Sequence, residues 1–294
     1  MKTLVLIGML LAAAGLHAQT HTEKITKEFT FEKKSADNAL MIANINGSIK
    51  VEGYTGDKIL VEVTKTIYAK TQARLEKGKE KIQLGVIDRA DSIILYAEGE
   101  CNKFGRKTNR GGKNQRGWGY SWENNDRSCN EEYDYRLDFF VKVPASINID
   151  VSTINSGDVS VQQVSGVVIA NNINGSIKLQ NLVREAVAST INGDVDIDYS
   201  TNPKKDCRFY SLNGDINAQF RKGLGANLSF ESFNGNFYTN IDKLETMPVQ
   251  IEKSNNGEGI RYKINGNRYQ AGAGGALLDF ETFNGNVYLK EKVN

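Results

Sequence analysis

Apolar and polar residues alternate with a period of two along most of this chain, which is the spacing of strands whose side chains point to opposite faces. The pattern is clearest from Ala186 to Ile241, where one phrase is written three times as AVASTINGDVDIDYS, CRFYSLNGDINAQF and LSFESFNGNFYTNI. The same phrase fits Asn174-Gly175, Asn192-Gly193, Asn213-Gly214, Asn234-Gly235 and Asn284-Gly285, whose glycines stand 18, 21, 21 and 50 residues apart. Aligned on that glycine, the seventh position before it holds Val168, Ala186, Cys207, Leu228 and Leu278, and the fifth holds Ala170, Ala188, Phe209, Phe230 and Phe280. The second before it holds Ile173, Ile191, Leu212, Phe233 and Phe283. The second and fourth after it are apolar apart from Thr239, running from Ile177 and Leu179 to Val287 and Leu289. All five columns read as core. Asn and Gly both tolerate positive φ, so Asn-Gly reads as a turn or corner between two strands.

A fixed period near 20 residues predicts stacked coils, each unable to bury its apolar face without its neighbours. The expected fold is all-β: a single-stranded parallel β-helix or β-solenoid with Asn-Gly corners, about 18–21 residues per coil, right-handed, with one short helix near the N-terminus. Each column would then climb the stack at about 4.8 Å per copy. An antiparallel sandwich with hairpins at each Asn-Gly is the alternative.

Along the chain, residues 25–31 suggest a first strand and residues 40–51 an early copy of the repeat. Residues 58–68 alternate, and 69–81 carry helical spacing that Gly78 weakens. Strands are expected at 82–87 and 92–97 around a turn at 88–91, and again from Tyr133 to Val143. Asn155-Ser156-Gly157 looks like a copy with one extra residue, a bulge. Residues 101–130 break the pattern as an inserted loop with seven Lys or Arg against two acids and both tryptophans of the chain.

Composition adds compartment and class. Gly is frequent (28) and Pro scarce (3), as in short strands joined by tight turns. The formal charge of +2 calls for neither nucleic acid nor a charged membrane. Lys2 followed by the apolar run from Leu4 to Leu16 reads as a signal peptide, residues 1–18, ahead of a single domain at 19–294. No other stretch approaches the roughly 20 apolar residues of a membrane-spanning helix. The expected location is therefore exported, in the periplasm or at the cell surface.

The coil motif Asn-Gly-(Asp/Ser/Asn)-(Ile/Val)-x-(Ile/Val/Leu), the strand Leu137-Asp-Phe-Phe-Val-Lys-Val-Pro144 ahead of it, and the closing Phe283-Asn-Gly-Asn-Val-Tyr-Leu289 together resemble the bacterial putative-adhesin family of exported β-solenoid proteins, a domain-of-unknown-function group of Bacteroidetes type. The resemblance spans residues 40–294 and implies an adhesion role without an established activity; the basic loop at 101–130 is not part of it.

The candidate chemistry is mostly absence. The two histidines are His17, inside the signal peptide, and His21, in the polar lead, so the domain lacks the imidazole of a Ser-His or Cys-His pair or of a typical zinc site. No metal site and no cofactor are expected, and no catalytic residue is assigned. Asp194 and Asp215 share the column after Asn-Gly. They suit a turn, a Ca²⁺ site or a glycosidase pair, the last needing carboxylates about 5–10 Å apart. Cys101 and Cys129 flank the loop, and a disulfide between them would add roughly 3–4 kcal/mol. Cys207 reads as a buried free thiol. Arg106, Lys107, Arg110, Trp118, Tyr120 and Trp122 are the candidate ligand-binding residues, because cations among aromatics suit sugars and protein partners; a solvated loop is the plain alternative. The function expected is a non-enzymatic adhesin or cell-envelope interaction module with a surface glycan or envelope protein as partner and no nucleic acid. A carbohydrate-active β-helix enzyme and a purely structural envelope protein are the alternatives.

Overall fold

The computed structural model describes residues 19–106, 118–121, 131–255, 260–265 and 267–292. Its strands form two large sheets and two small hairpins, with one helix, Gln72–Lys81. The first sheet has ten strands, in the order 19–29, 59–69, 133–144, 49–54, 159–162, 177–182, 195–199, 216–220, 287–291, 237–239. The second has eleven, in the order 244–246, 267–271, 226–234, 276–284, 207–213, 186–192, 168–171, 148–152, 39–43, 92–98, 83–88. Each of the five aligned Asn-Gly pairs joins a strand of the second sheet to one of the first.

This corrects the expected single-stranded, right-handed β-helix. Both sheets are mixed. Gln19–Phe29 pairs antiparallel with Ile59–Ala69, which pairs antiparallel with Tyr133–Pro144, and Gln83–Asp88 pairs antiparallel with Ser92–Glu98. At the other end Asn267–Ala271 runs antiparallel to Ala226–Asn234. Strand order also departs from chain order, since Ala276–Asn284 sits between Cys207–Asn213 and Ala226–Asn234. The repeats do pair in parallel and in register, Ala188 on Phe209, Phe209 on Phe280 and Phe280 on Phe230. Similar phrases make interchangeable neighbours, so similarity alone does not set their order.

A second correction follows from the strand period. The columns seven and five before the glycine are buried, with Ala188, Phe209 and Phe280 fully so, and the columns after it bury Ile177, Val195 and Ile216. The column two before the glycine has the opposite parity and faces out: Ile173 and Ile191 are exposed, and Phe233 is 74% exposed. The inward position is the third before the glycine, where Asn172, Thr190, Ser211 and Thr282 are buried and Ser232, near the end of the sheet, is exposed.

The helix begins at the cap residue Thr71, whose Oγ1 accepts a hydrogen bond from Arg74 N at 3.4 Å. Gly78, a weak helix former, is there for proximity: a Cβ would lie 2.6 Å from Ile67 Cγ2. Beneath the helix Lys65 is buried, with its ammonium donating to Lys79 O (2.8 Å) and pairing with Glu23 (2.9 Å). Ser156 takes φ +59°, which places the extra residue of that copy in the left-handed region.

Candidate binding surface

Three ladders of polar side chains stitch the corner where the sheets meet. The turn asparagines bond one another up the stack: Asn174 Nδ2 donates to Asn155 Oδ1, Asn192 to Asn174, Asn213 to Asn192, Asn284 to Asn213 and Asn234 to Asn284, all at 2.8–2.9 Å. Inside, Thr190 and Ser211 donate to the carbonyls of Gly175 and Gly193 one layer away, both at 2.8 Å. Glycine is needed there because a Cβ at Gly214 would sit 2.1 Å from Gly193 O.

The residue after the glycine forms the third ladder. Asp194 Oδ1 accepts from Asp215 N (2.8 Å), and Asp215 Oδ1 accepts from Asn286 N (2.7 Å). Asp158 Oδ1 accepts likewise from Ser176 N at 2.8 Å. One oxygen of each carboxylate thus caps a backbone N–H of the next layer, which is scaffold work of the kind Asp does in turns. Among the described residues no three His, Cys, Asp or Glu side chains gather as metal ligands.

The outer face of the first sheet carries a groove of about 600 Å³. Its floor is set by register, with Lys178, Asp196, Asn217 and Tyr288 in one row on adjacent strands and Asp198, Gln219 and Lys290 in the next. Asn217 Nδ2 donates to Asp196 Oδ1 at 2.9 Å. Lys292 pairs with Asp198 at 2.5 Å and donates to Tyr199 O. Tyr288 stacks on Tyr238 with centroids 5.1 Å apart and planes 12° off parallel. Sequence reading singled out none of them; the signal was the polar residues that alternate with the apolar columns after each Asn-Gly.

Of the loop residues singled out by sequence, Trp118, Tyr120 and the backbone of Arg106 lie in a hairpin, Lys103–Arg106 with Trp118–Ser121. Lys107, Arg110, Trp122 and Cys129 lie outside the described residues, as do residues 1–18, the expected signal peptide. Tyr120 is buried, and its hydroxyl is 2.9 Å from Ala43 O and 2.8 Å from Ala97 O. Burial pushes the phenol's pKa far up. Tyr120 is therefore an anchor, correcting its expected place on a ligand surface. Phe104 stacks on Tyr96 at 4.5 Å and Trp118 on Phe104 at 6.0 Å, and Arg89 stands 5.7 Å from the Trp118 ring. Tyr120→Phe should cost about 1–2 kcal/mol and speed amide exchange in residues 103–106 and 118–121, read by hydrogen–deuterium exchange. Unchanged exchange there would remove Tyr120 from the anchor.

Cys101 is disulfide-bonded, and the pairing with Cys129 remains a proposal that non-reducing peptide mapping tests. Cys207 is a buried free thiol whose Sγ lies 3.2 Å from Tyr199 OH, and burial pushes its pKa up. No helix among the described residues is long and apolar enough to cross a membrane.

No family model matches the chain, and no curated protein matches it. Among solved structures it is similar to a putative cell adhesion protein from Clostridium sporogenes, with 12% identity and a TM-score of 0.40 over 92% of this chain and 100% of that one. It is also similar to a putative adhesin from Bacteroides fragilis (11% identity, TM-score 0.34, 92% and 97% covered). A putative lipid binding protein from Parabacteroides distasonis follows at 10% identity and TM-score 0.25, with 92% and 97% covered. Likenesses this distant establish no family, and the functional reading rests on the surface itself.

Proposed function

We propose that this chain is an exported, non-enzymatic interaction module of the cell envelope that binds its partner across the outer face of the first sheet. The observation that carries the reading is a division of labour among polar residues. Asp194 and Asp215 each give a carboxylate oxygen to the backbone of the next layer. In the groove, the side chains of Lys178, Gln180 and Gln219 make no hydrogen bond or ion pair among the described residues, and Asp196 has one oxygen engaged. Polar groups on a rigid sheet with bonding capacity to spare suit recognition, since the scaffold already fixes the backbone that carries them. The basic residues Arg106, Lys107 and Arg110 and the tryptophans Trp118 and Trp122 are a second proposed set of contacts for the same module. Purified, fluorescently labelled protein should bind isolated envelopes of the source bacterium saturably and release no reducing sugar from them. Unsaturable binding, or sugar release, would overturn the reading.

A further inference from the structure

We propose, on the reading of this chain as an interaction module, that the groove on the first sheet binds a glycan, with one pyranose ring resting on Tyr288. Tyr288 and Tyr238 occupy neighbouring strands with parallel rings, so the rings stand out from the sheet and stack along the direction that crosses the strands. One face of Tyr288 is covered by Tyr238. The other looks back over Asn217, its partner on the opposite side, and forms an end wall of the groove. An aromatic face beside planar polar side chains is the chemistry that recognises sugars: the C–H face of the ring packs on the aromatic, and the hydroxyls meet groups that donate and accept at fixed angles.

The floor supplies those groups. Asn217 gives its amide proton to Asp196 Oδ1, which orients both side chains and leaves Asn217 Oδ1 and Asp196 Oδ2 without a protein partner among the described residues. Gln219 stands in the next row, between Asp198 and Lys290. Lys290 Nζ stands over the Tyr288 ring, 5.9 Å from its centroid, so a sugar stacking there moves this exposed side chain to the edge of the ring, where it can meet a substituent. From Lys178 to Tyr288 the row crosses four strands, about 14 Å at the usual strand spacing. That length holds a short oligosaccharide rather than a single sugar. The groove carries Lys178, Lys290 and Lys292 against Asp196 and Asp198, with Lys292 paired to Asp198, so one positive charge is left over and both neutral and uronate glycans fit the chemistry.

The test is an array of neutral and uronate pyranose oligosaccharides, followed by calorimetry on the best binder with wild type, Tyr288→Ala, Tyr288→Phe and Asp196→Ala. Tyr288→Ala and Asp196→Ala should each weaken binding roughly tenfold, while Tyr288→Phe keeps the stacking face and stays within about threefold. Thermal melts within a few degrees of wild type show that the variants remain folded. Binding confined to neutral oligosaccharides assigns the floor to hydroxyls; binding of uronates that Lys178→Ala or Lys290→Ala abolishes assigns a carboxylate to a lysine. No binder on the array, or equal affinity for Tyr288→Ala and wild type, overturns the proposal. Envelope binding that persists in Tyr288→Ala and is not competed by sugars overturns the glycan while leaving the module; absence of envelope binding by wild type overturns the module itself.

Discussion

Gly214→Ala should lower stability by about 3 kcal/mol or more, a drop of roughly 6–12 °C in melting temperature for a chain of this class. The added Cβ would lie 2.1 Å from Gly193 O and 2.5 Å from Gly193 C. Both are backbone atoms of the neighbouring layer, held by parallel pairing on either side of the repeat. No rotamer relieves such a contact, so the layers must separate at the corner. Separation would strain the Asn213–Asn192 bond and the Ser211–Gly193 bond together. Gly105→Ala is the control, because a Cβ there meets nothing within 4 Å. A melt by circular dichroism in which Gly214→Ala matches Gly105→Ala would show that the corner is not the tight point.

The second large effect is at Lys65. Its side chain is 2% exposed, and its ammonium is held by Glu23 and by the helix carbonyl of Lys79. Glu23→Ala should cost about 2–3 kcal/mol by leaving that ammonium short of a counter-charge. The double variant Glu23→Ala/Lys65→Met should recover most of the loss, because methionine keeps the apolar stem and removes the charge. A double variant less stable than Glu23→Ala in urea titration would mean that Lys65 stabilises the fold even without Glu23, through its bond to Lys79 O, and would contradict this expectation. The Lys65 hydrogen bond holds the Glu23 carboxyl below its usual pKa. A carboxyl whose folded pKa is lowered contributes stability above its unfolded pKa and loses it as pH falls through the folded one. The stability gap between wild type and Glu23→Ala should therefore narrow in acid.

How much of this could be seen in the sequence differs by level. The Asn-Gly column was legible because it repeats, and it does become a ladder from Asn155 to Asn234. The buried columns were legible from the period of two. The same period should have excluded Ile173, Ile191, Phe233 and Phe283 from the core, since they are out of phase with Ala188 and Phe209. Hydrophobicity outweighed parity in that reading. The Thr, Ser and Asn of the inward third position were equally visible, but a buried hydroxyl makes sense only once the Gly carbonyl it meets is known. Sheet order was not legible: Phe209, Phe230 and Phe280 are the same residue in the same column, and the antiparallel strands at each end lie outside the repeat. The groove was hidden for a related reason. Lys178, Asp196, Asn217 and Tyr288 are far apart in sequence and become neighbours through the parallel register and the displaced position of the last repeat.

That displacement puts Tyr288 beside Asn217 and so builds the surface on which the functional account depends. On the proposed function, corner carboxylates hold layers together and groove residues meet the partner. Envelope-binding isotherms for Asp215→Ala and Tyr288→Ala, taken well below both melting temperatures, measure that separation directly. Wild-type affinity is expected for Asp215→Ala, although it melts earlier, and roughly tenfold weaker binding for Tyr288→Ala, although its melt stays within a few degrees of wild type. The reverse pattern, with binding lost in Asp215→Ala and kept in Tyr288→Ala, would contradict that function.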